Sequence, residues 1–162
     1  MYPKDAYYGG ELVMGCDIHV HHEVKNKEGH WQSSDEWTEK KEDYDDTHYW
    51  ETKKSNYVCR DYNLFGAIAG NLRRDIPESL PINGFPSNAS FEVKREYEIW
   101  EHDGHSHCVR TIAELEDLVN ILPVFLLHDT VYVVPSIVEL IEQFKLADIP
   151  SDQQRLVYWF DN

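Results

Sequence analysis

From Val13 to Val24 the chain alternates between two kinds of side chain, and no other stretch constrains the fold as strongly. Val13, Gly15, Asp17, His19, His21 and Glu23 fall on one face of an extended segment, and Met14, Cys16, Ile18, Val20, His22 and Val24 on the other. A long strand is predicted, with one apolar face and one face rich in metal-ligating residue types. The turn residues from Asn26 to Gly29 predict that His30, Trp31 and Gln32 return as the second strand of a hairpin. The acidic stretch from Asp35 to Asp46 has no apolar period and reads as a solvated loop.

Helical spacing begins further on. Leu64, Phe65, Ile68, Ala69 and Leu72 share a face after Asp61 and Asn63, and the run ends near Arg73 and Arg74, cations that suit a helix C-terminus. A proline-rich loop follows, then a helix from about Phe91 to Trp100 with Ser90 as its cap. Thr111 and Glu114 have the spacing of a capping box ahead of Ile112, Leu115 and Leu118. Val131 to Val134 reads as a short buried strand, Ser136 with Glu139 as the cap of a helix through Leu146, and Arg155 to Phe160 as a closing aromatic strand. The fold class expected is α+β: a mostly antiparallel sheet made of the N-terminal hairpin, the Val131 strand and the C-terminal strand, covered by three or four helices.

At 162 residues and 41% hydrophobic content the chain can bury the core of one domain, expected over residues 14–162. Residues 1–13 read as a poorly ordered leader, with Met14 as the natural start. Thirty acidic residues against fifteen basic ones give a formal charge of −15, which repels phosphate backbones and anionic membranes and argues against a duplex nucleic acid partner. Three cysteines with no CxxC spacing indicate neither a disulfide framework nor a zinc finger. With no signal-like or membrane-length apolar run, a cytoplasmic location and no membrane partner are expected. The oligomeric state is open.

Cys16 to His21 and His102 to His107 together hold five of the nine histidines, with an aspartate in each segment. Asp17, His19 and His21 repeat at every second position, as do Asp103, His105 and His107, and on a strand such residues project together at roughly 6.5 to 7 Å intervals. Two segments of this kind on adjacent strands or loop ends could supply the ligands of a divalent transition ion, zinc, manganese or iron. Asp17, His19, Asp103, His105 and His107 are the expected ligands. The competing reading is a buried polar network in which Asp17 and His19 pair across a sheet with Asp103 and His105. Arg60 or Arg110 could bind a small anionic ligand; surface salt bridging is the alternative for Arg60, Arg73 and Arg74. Ser106 stands beside histidines but lacks the surroundings of a nucleophile elbow, and Cys16 reads as a core residue.

With these residues in view, the chain resembles a family of small phage and prophage proteins that open with Met-Gly-Cys-Asp-Ile-His, here Met14 to His19. The resemblance continues through Arg-x-Tyr-x-Leu-Phe at Arg60 to Phe65, Asp-x-His-Ser-His at Asp103 to His107, and Trp-Phe-Asp-Asn at Trp159 to Asn162. It implies a phage setting, hence a host cell cytoplasm, and no particular activity. The clusters are also loosely similar to the D-x-H-x-H openings of barrel-type metal-dependent phosphoesterases and amidohydrolases, although 162 residues are too few for a complete eight-stranded α/β barrel. Two functions are carried forward. One is a metal-dependent hydrolase acting on a phosphodiester or nucleotide-like small molecule through a metal-bound water. The other is a non-catalytic phage binding protein that sequesters a host signalling nucleotide or blocks a host defence protein.

Overall fold

A computed structural model describes residues 15–44, 46–53, 60–122 and 133–162. Among them the fold is α+β. Strands β1 (Asp17–Lys25), β2 (Trp31–Ser33), β5 (His105–Thr111) and β6 (Gln154–Asp161) form an antiparallel sheet in the order β2-β1-β6-β5. A separate two-stranded hairpin joins β3 (Trp37–Lys41) to β4 (His48–Thr52). The helices are α1 (Tyr62–Ile68), α2 (Phe91–Ile99), α3 (Ile112–Ile121) and α4 (Val133–Phe144). No helix among the described residues is long and apolar enough to cross a membrane.

The alternation in β1 produces the two faces it predicts. Cys16, Ile18 and Val20 join Leu156, Tyr158 and Phe160 of β6 in a main core with α1, α3 and α4, to which Phe65, Ile68, Leu115, Leu118, Ile137 and Leu140 contribute. On the other face Val157 and Trp159 pack with Ala89 and Val93 beneath α2, flanked by Phe85, Tyr97 and Trp100. Strand β6 is therefore covered on both sides, and all seven residues from Gln154 to Phe160 are buried. The Thr111 capping box forms with both of its hydrogen bonds and starts α3 directly at the end of β5.

Several elements differ from the sequence reading. The stretch expected to be a solvated loop contains β3, paired with β4 from Trp37↔Thr52 to Lys41↔His48. Its charged residues conceal the strand, because the hairpin uses Trp37 and Trp50 as anchors: Trp37 stacks on His21 at 5.8 Å, and Arg95 of α2 lies 4.3 Å from the Trp50 ring centroid. Val133 and Val134 are not strand residues but the first turn of α4, where Val133, Ile137, Leu140 and Phe144 recur with helical spacing on the buried face; Val131 lies outside the described residues. Ser136 consequently sits inside α4, and its hydroxyl donates to the Asp61 carboxylate instead of capping the helix. Helix α1 stops at Ile68, before the arginines, because Gly70, Asn71 and Arg73 take positive φ values of 61°, 65° and 65°. The second histidine segment supplies the fourth strand of the sheet.

One buried ion pair joins the layers. Glu23 on β1 and Arg155 on β6 are cross-strand partners with side chains 0% and 6% exposed. Arg155 Nε donates to Glu23 Oε2 at 2.7 Å, Glu23 Oε1 accepts the Ser90 amide at 2.6 Å, and the guanidinium donates to the Asn88 side chain and carbonyl. The guanidinium also lies 4.1 Å from the Trp31 ring centroid. Removing either charge strands the other in a site that water does not reach, at a cost of about 3 kcal/mol or more. Arg155→Met and Glu23→Gln are each expected to lower the urea midpoint by that equivalent, and the double substitution Glu23→Met with Arg155→Met by less than the sum. Strictly additive losses would contradict the pairing.

Candidate functional site

Cross-strand partners share a face, so the register decides which histidines meet. Asp17 pairs with Asp161 and His19 with Trp159, on the α2 side of the sheet. On β5, His105 pairs with Phe160 and Cys108 with Tyr158, and a bulge lies between them. Two residues, Ser106 and His107, there face one, and Ser106 takes a left-handed φ of 53°. The extra residue turns His107 back to the α2 side, 4.9 Å from Tyr97 and 6.1 Å from Trp159, while His105 stays with Phe160 on the main-core side. His105 and His107 would share a face on a regular strand, and the bulge separates them.

His21 and His107 serve packing. The His21 ring is buried between Trp37 and Trp159, with centroids at 5.8 and 4.9 Å, and burial, with a smaller contribution from the positive His19, pushes its pKa down to about 3. Burial, with a smaller contribution from His105, lowers the pKa of His107 as well. His21 Nδ1, His105 Nε2 and His107 Nε2 have no hydrogen-bond partner among the described residues. His105 Nδ1 lies 3.0 Å from its neighbour's hydroxyl, Ser106 Oγ.

The polar chemistry gathers where β1 begins and β6 ends. Arg60 Nε and Nη2 donate to the two Asp17 oxygens at 2.8 and 2.9 Å, a bidentate pair with side chains 48% and 34% exposed. Gly15 makes room for it: a Cβ there would stand 2.5 Å from Arg60 Nη1. The next residues reinforce this contact, since the Cys16 amide donates to the Tyr62 hydroxyl at 3.3 Å and Asp61 caps α1 through the Asn63 and Leu64 amides. His19 Nε2 donates to Asp161 Oδ2 at 3.0 Å, and Trp100 lies over the imidazole at 4.3 Å. Glu96 of α2 faces the same imidazole; burial raises its pKa, while Arg95 and His19 pull it down. Arg73 donates to the Asn162 side chain at 2.7 Å. All four segments that carry the family resemblance thus meet at this end of the sheet.

Of the five expected metal ligands, only Asp17 and His19 occupy one face of one strand, and Asp17 is engaged by Arg60. His105 is on the opposite face. Asp103 lies in an exposed turn after α2, where its amide donates to the Trp100 carbonyl. Among the described residues no group of three or more His, Cys, Asp or Glu side chains is placed to hold one ion. Arg110 is remote from Arg60, pairing with Leu156 toward the other end of β5; its side chain is 8% exposed, donates to the Pro81 carbonyl and lies 3.6 Å from Glu114. Cys16 and Cys108 are free thiols in the core, and burial raises both pKa values. Asp161 and Trp100 were missed from the sequence. Asp161 had a usable signal, since it alternates with Trp159 on the closing strand.

No protein-family model, no curated protein and no solved structure matches this chain.

The buried imidazole gives a pH test. The unfolded chain binds a proton at His21 below pH 6.5 that the folded chain refuses until about pH 3, so stability contributed by the neutral ring is present above 6.5 and lost as pH falls from 6.5 toward 3. Between pH 6.5 and roughly 5, before the carboxylates dominate, His21→Phe is expected to flatten the decline in unfolding free energy by up to about 1.4 kcal/mol per pH unit. Denaturation in urea across this range reads the slope, and a slope unchanged by the substitution would contradict the buried neutral imidazole.

Proposed function

We propose that the chain is a binding protein for a small anionic, nucleotide-like ligand, taken up beside Asp17, Arg60 and Asp161. The observation that carries this reading is the Asp17–Arg60 pair. A guanidinium held in a planar fork by a carboxylate is oriented for bidentate recognition of oxyanions, and this one remains half-exposed in a chain with a formal charge of −15. Trp100, packed over His19 next to the pair, adds an aromatic surface of the kind that nucleobases stack on. The dispersal of the histidines favours binding over chemistry, because His21 and His107 are neutral packing residues and His105 faces the main core. In the phage setting that the resemblance implies, such a protein would sequester a host signalling nucleotide. Calorimetric titration with mononucleotides, cyclic mononucleotides and cyclic dinucleotides tests this. At least one should bind saturably, and Arg60→Met should weaken it about tenfold or more. No binding across these ligands, or binding indifferent to Arg60→Met, would overturn the reading.

One observation favours a second reading, the metal-dependent hydrolase of phosphodiester or nucleotide-like molecules. The Asp161 carboxylate holds His19 Nε2, which leaves Nδ1 to act as a base or as a ligand to zinc, manganese or iron. Asp17 and Asp161 stand on the same face as this imidazole. Elemental analysis and phosphodiester turnover on tag-free protein separate the two functions: the hydrolase requires stoichiometric metal and turnover that His19→Ala abolishes. Nucleotide binding without metal or turnover would leave the binding protein alone.

A further inference from the structure

At the other end of β1 from Asp17, a recess of about 380 Å³ opens between β2 and the start of α2, lined by Trp31, Gln32, Ser33, Ser90, Phe91 and Glu92. Helix α2 has nine residues, and its N-cap, Ser90, makes no side-chain capping bond. The Ser90 backbone explains part of this. Its amide is drawn to Glu23 Oε1 at 2.6 Å, which fixes the cap residue from below. Its hydroxyl is left buried in a residue only 7% exposed, without any hydrogen-bond partner. The first-turn amides of α2 thereby lack the acceptor that a serine cap ordinarily supplies. A hydroxyl and a set of helix N-terminal N–H groups, all unsatisfied and all facing one recess, require an acceptor with several oxygens.

The surrounding charges fit the same ligand. Lys25, the last residue of β1 and the cross-strand partner of Trp31, holds its ammonium 5.0 Å from the Trp31 ring centroid at the rim. Arg155 lies on Trp31 as well, with its charge matched by buried Glu23. The Ser33 hydroxyl is already used, accepting from the Asp35 amide and Trp37 Nε1. Glu92 is the one lining residue whose charge opposes an anion, and it occupies the exposed side of the first turn. We infer that this recess binds a phosphate group, the first-turn amides and the Ser90 hydroxyl donating to its oxygens and Lys25 supplying the counter-charge. The site is separate from the Arg60 end of the sheet and does not depend on the function proposed there.

Titration of ¹⁵N-labelled protein with inorganic phosphate at constant ionic strength tests the inference. Saturable shifts are expected at the Phe91, Glu92 and Val93 amides and the Trp31 indole. Ser90→Ala should weaken binding about three- to tenfold and Lys25→Gln about two- to fivefold, while Glu92→Gln should tighten it by a similar factor. The last two are surface substitutions that leave the fold intact, and Arg60→Met should leave the phosphate affinity unchanged. Absence of saturable shifts at these amides, or the same affinity in wild type and all three recess variants, would overturn the proposal. Acetate binding as tightly as phosphate would overturn the assignment to phosphate.

Discussion

The pairing of β1 with β6 runs through eight consecutive residue pairs, from Asp17↔Asp161 to Val24↔Gln154, and the rest of the molecule takes its position from that register. A slip by one residue would exchange the two faces of β1, sending Asp17 and His19 into the main core and Ile18 and Val20 toward α2. Both faces are committed. Tyr158 and Phe160 belong to one apolar cluster, and Val157 and Trp159 to the other. At the far end of the ladder, the Glu23–Arg155 pair specifies the register a second time, because its charges have no other partners at that depth. The same register creates the polar end of the sheet, where the Asp17–Arg60 and His19–Asp161 contacts fall next to one another.

Strand β5 shows how one backbone irregularity redistributes chemistry. The left-handed Ser106 adds a residue opposite Trp159 and rotates His107 away from the face on which His105 stands. The imidazoles then divide among different tasks. His19 is held by a carboxylate and stays partly exposed, His21 and His107 become neutral members of an aromatic layer around Trp159, and His105 closes the main-core side next to Phe160. The aromatic layer reaches outward through Trp37 and Arg95 to the β3–β4 hairpin, which carries acidic residues on its exposed surface. Its attachment relies on a few large rings, and periodicity contributes little.

What could be read in the sequence follows from whether a signal is local. The alternation of β1, the Thr111 capping box and the apolar face of α3 are each determined within a few residues, and each forms as expected. The β3 strand was not legible because it lies in a charged stretch and is held by contacts far away in the chain, Trp37 with His21 and Trp50 with Arg95. Val133 and Val134 favour a strand by side-chain type, yet continuing burial at Ile137 and Leu140 places them in a helix. For the site, the first segment's face assignment was readable from Asp17 to Glu23. The second was not, since the D-x-H-x-H spacing assumes a regular strand and nothing in the spacing announces a bulge at Ser106. The Asp17–Arg60 pair joins residues 43 apart, and the choice of Asp17 as the partner of Arg60 is a property of the folded chain.

The account rests on the division of the histidines across the sheet. A binding end built from Arg60, Asp17 and Asp161 can coexist with that division, whereas a single ion coordinated by His19, His105 and His107 cannot. The most direct measurement is a zinc titration followed through the side-chain resonances of the individual histidines. The account predicts that no single ion perturbs His19, His105 and His107 together, and that His21 and His107 keep the resonances of neutral buried rings throughout. Simultaneous, stoichiometric coordination of His19, His105 and His107 by one zinc ion would contradict it.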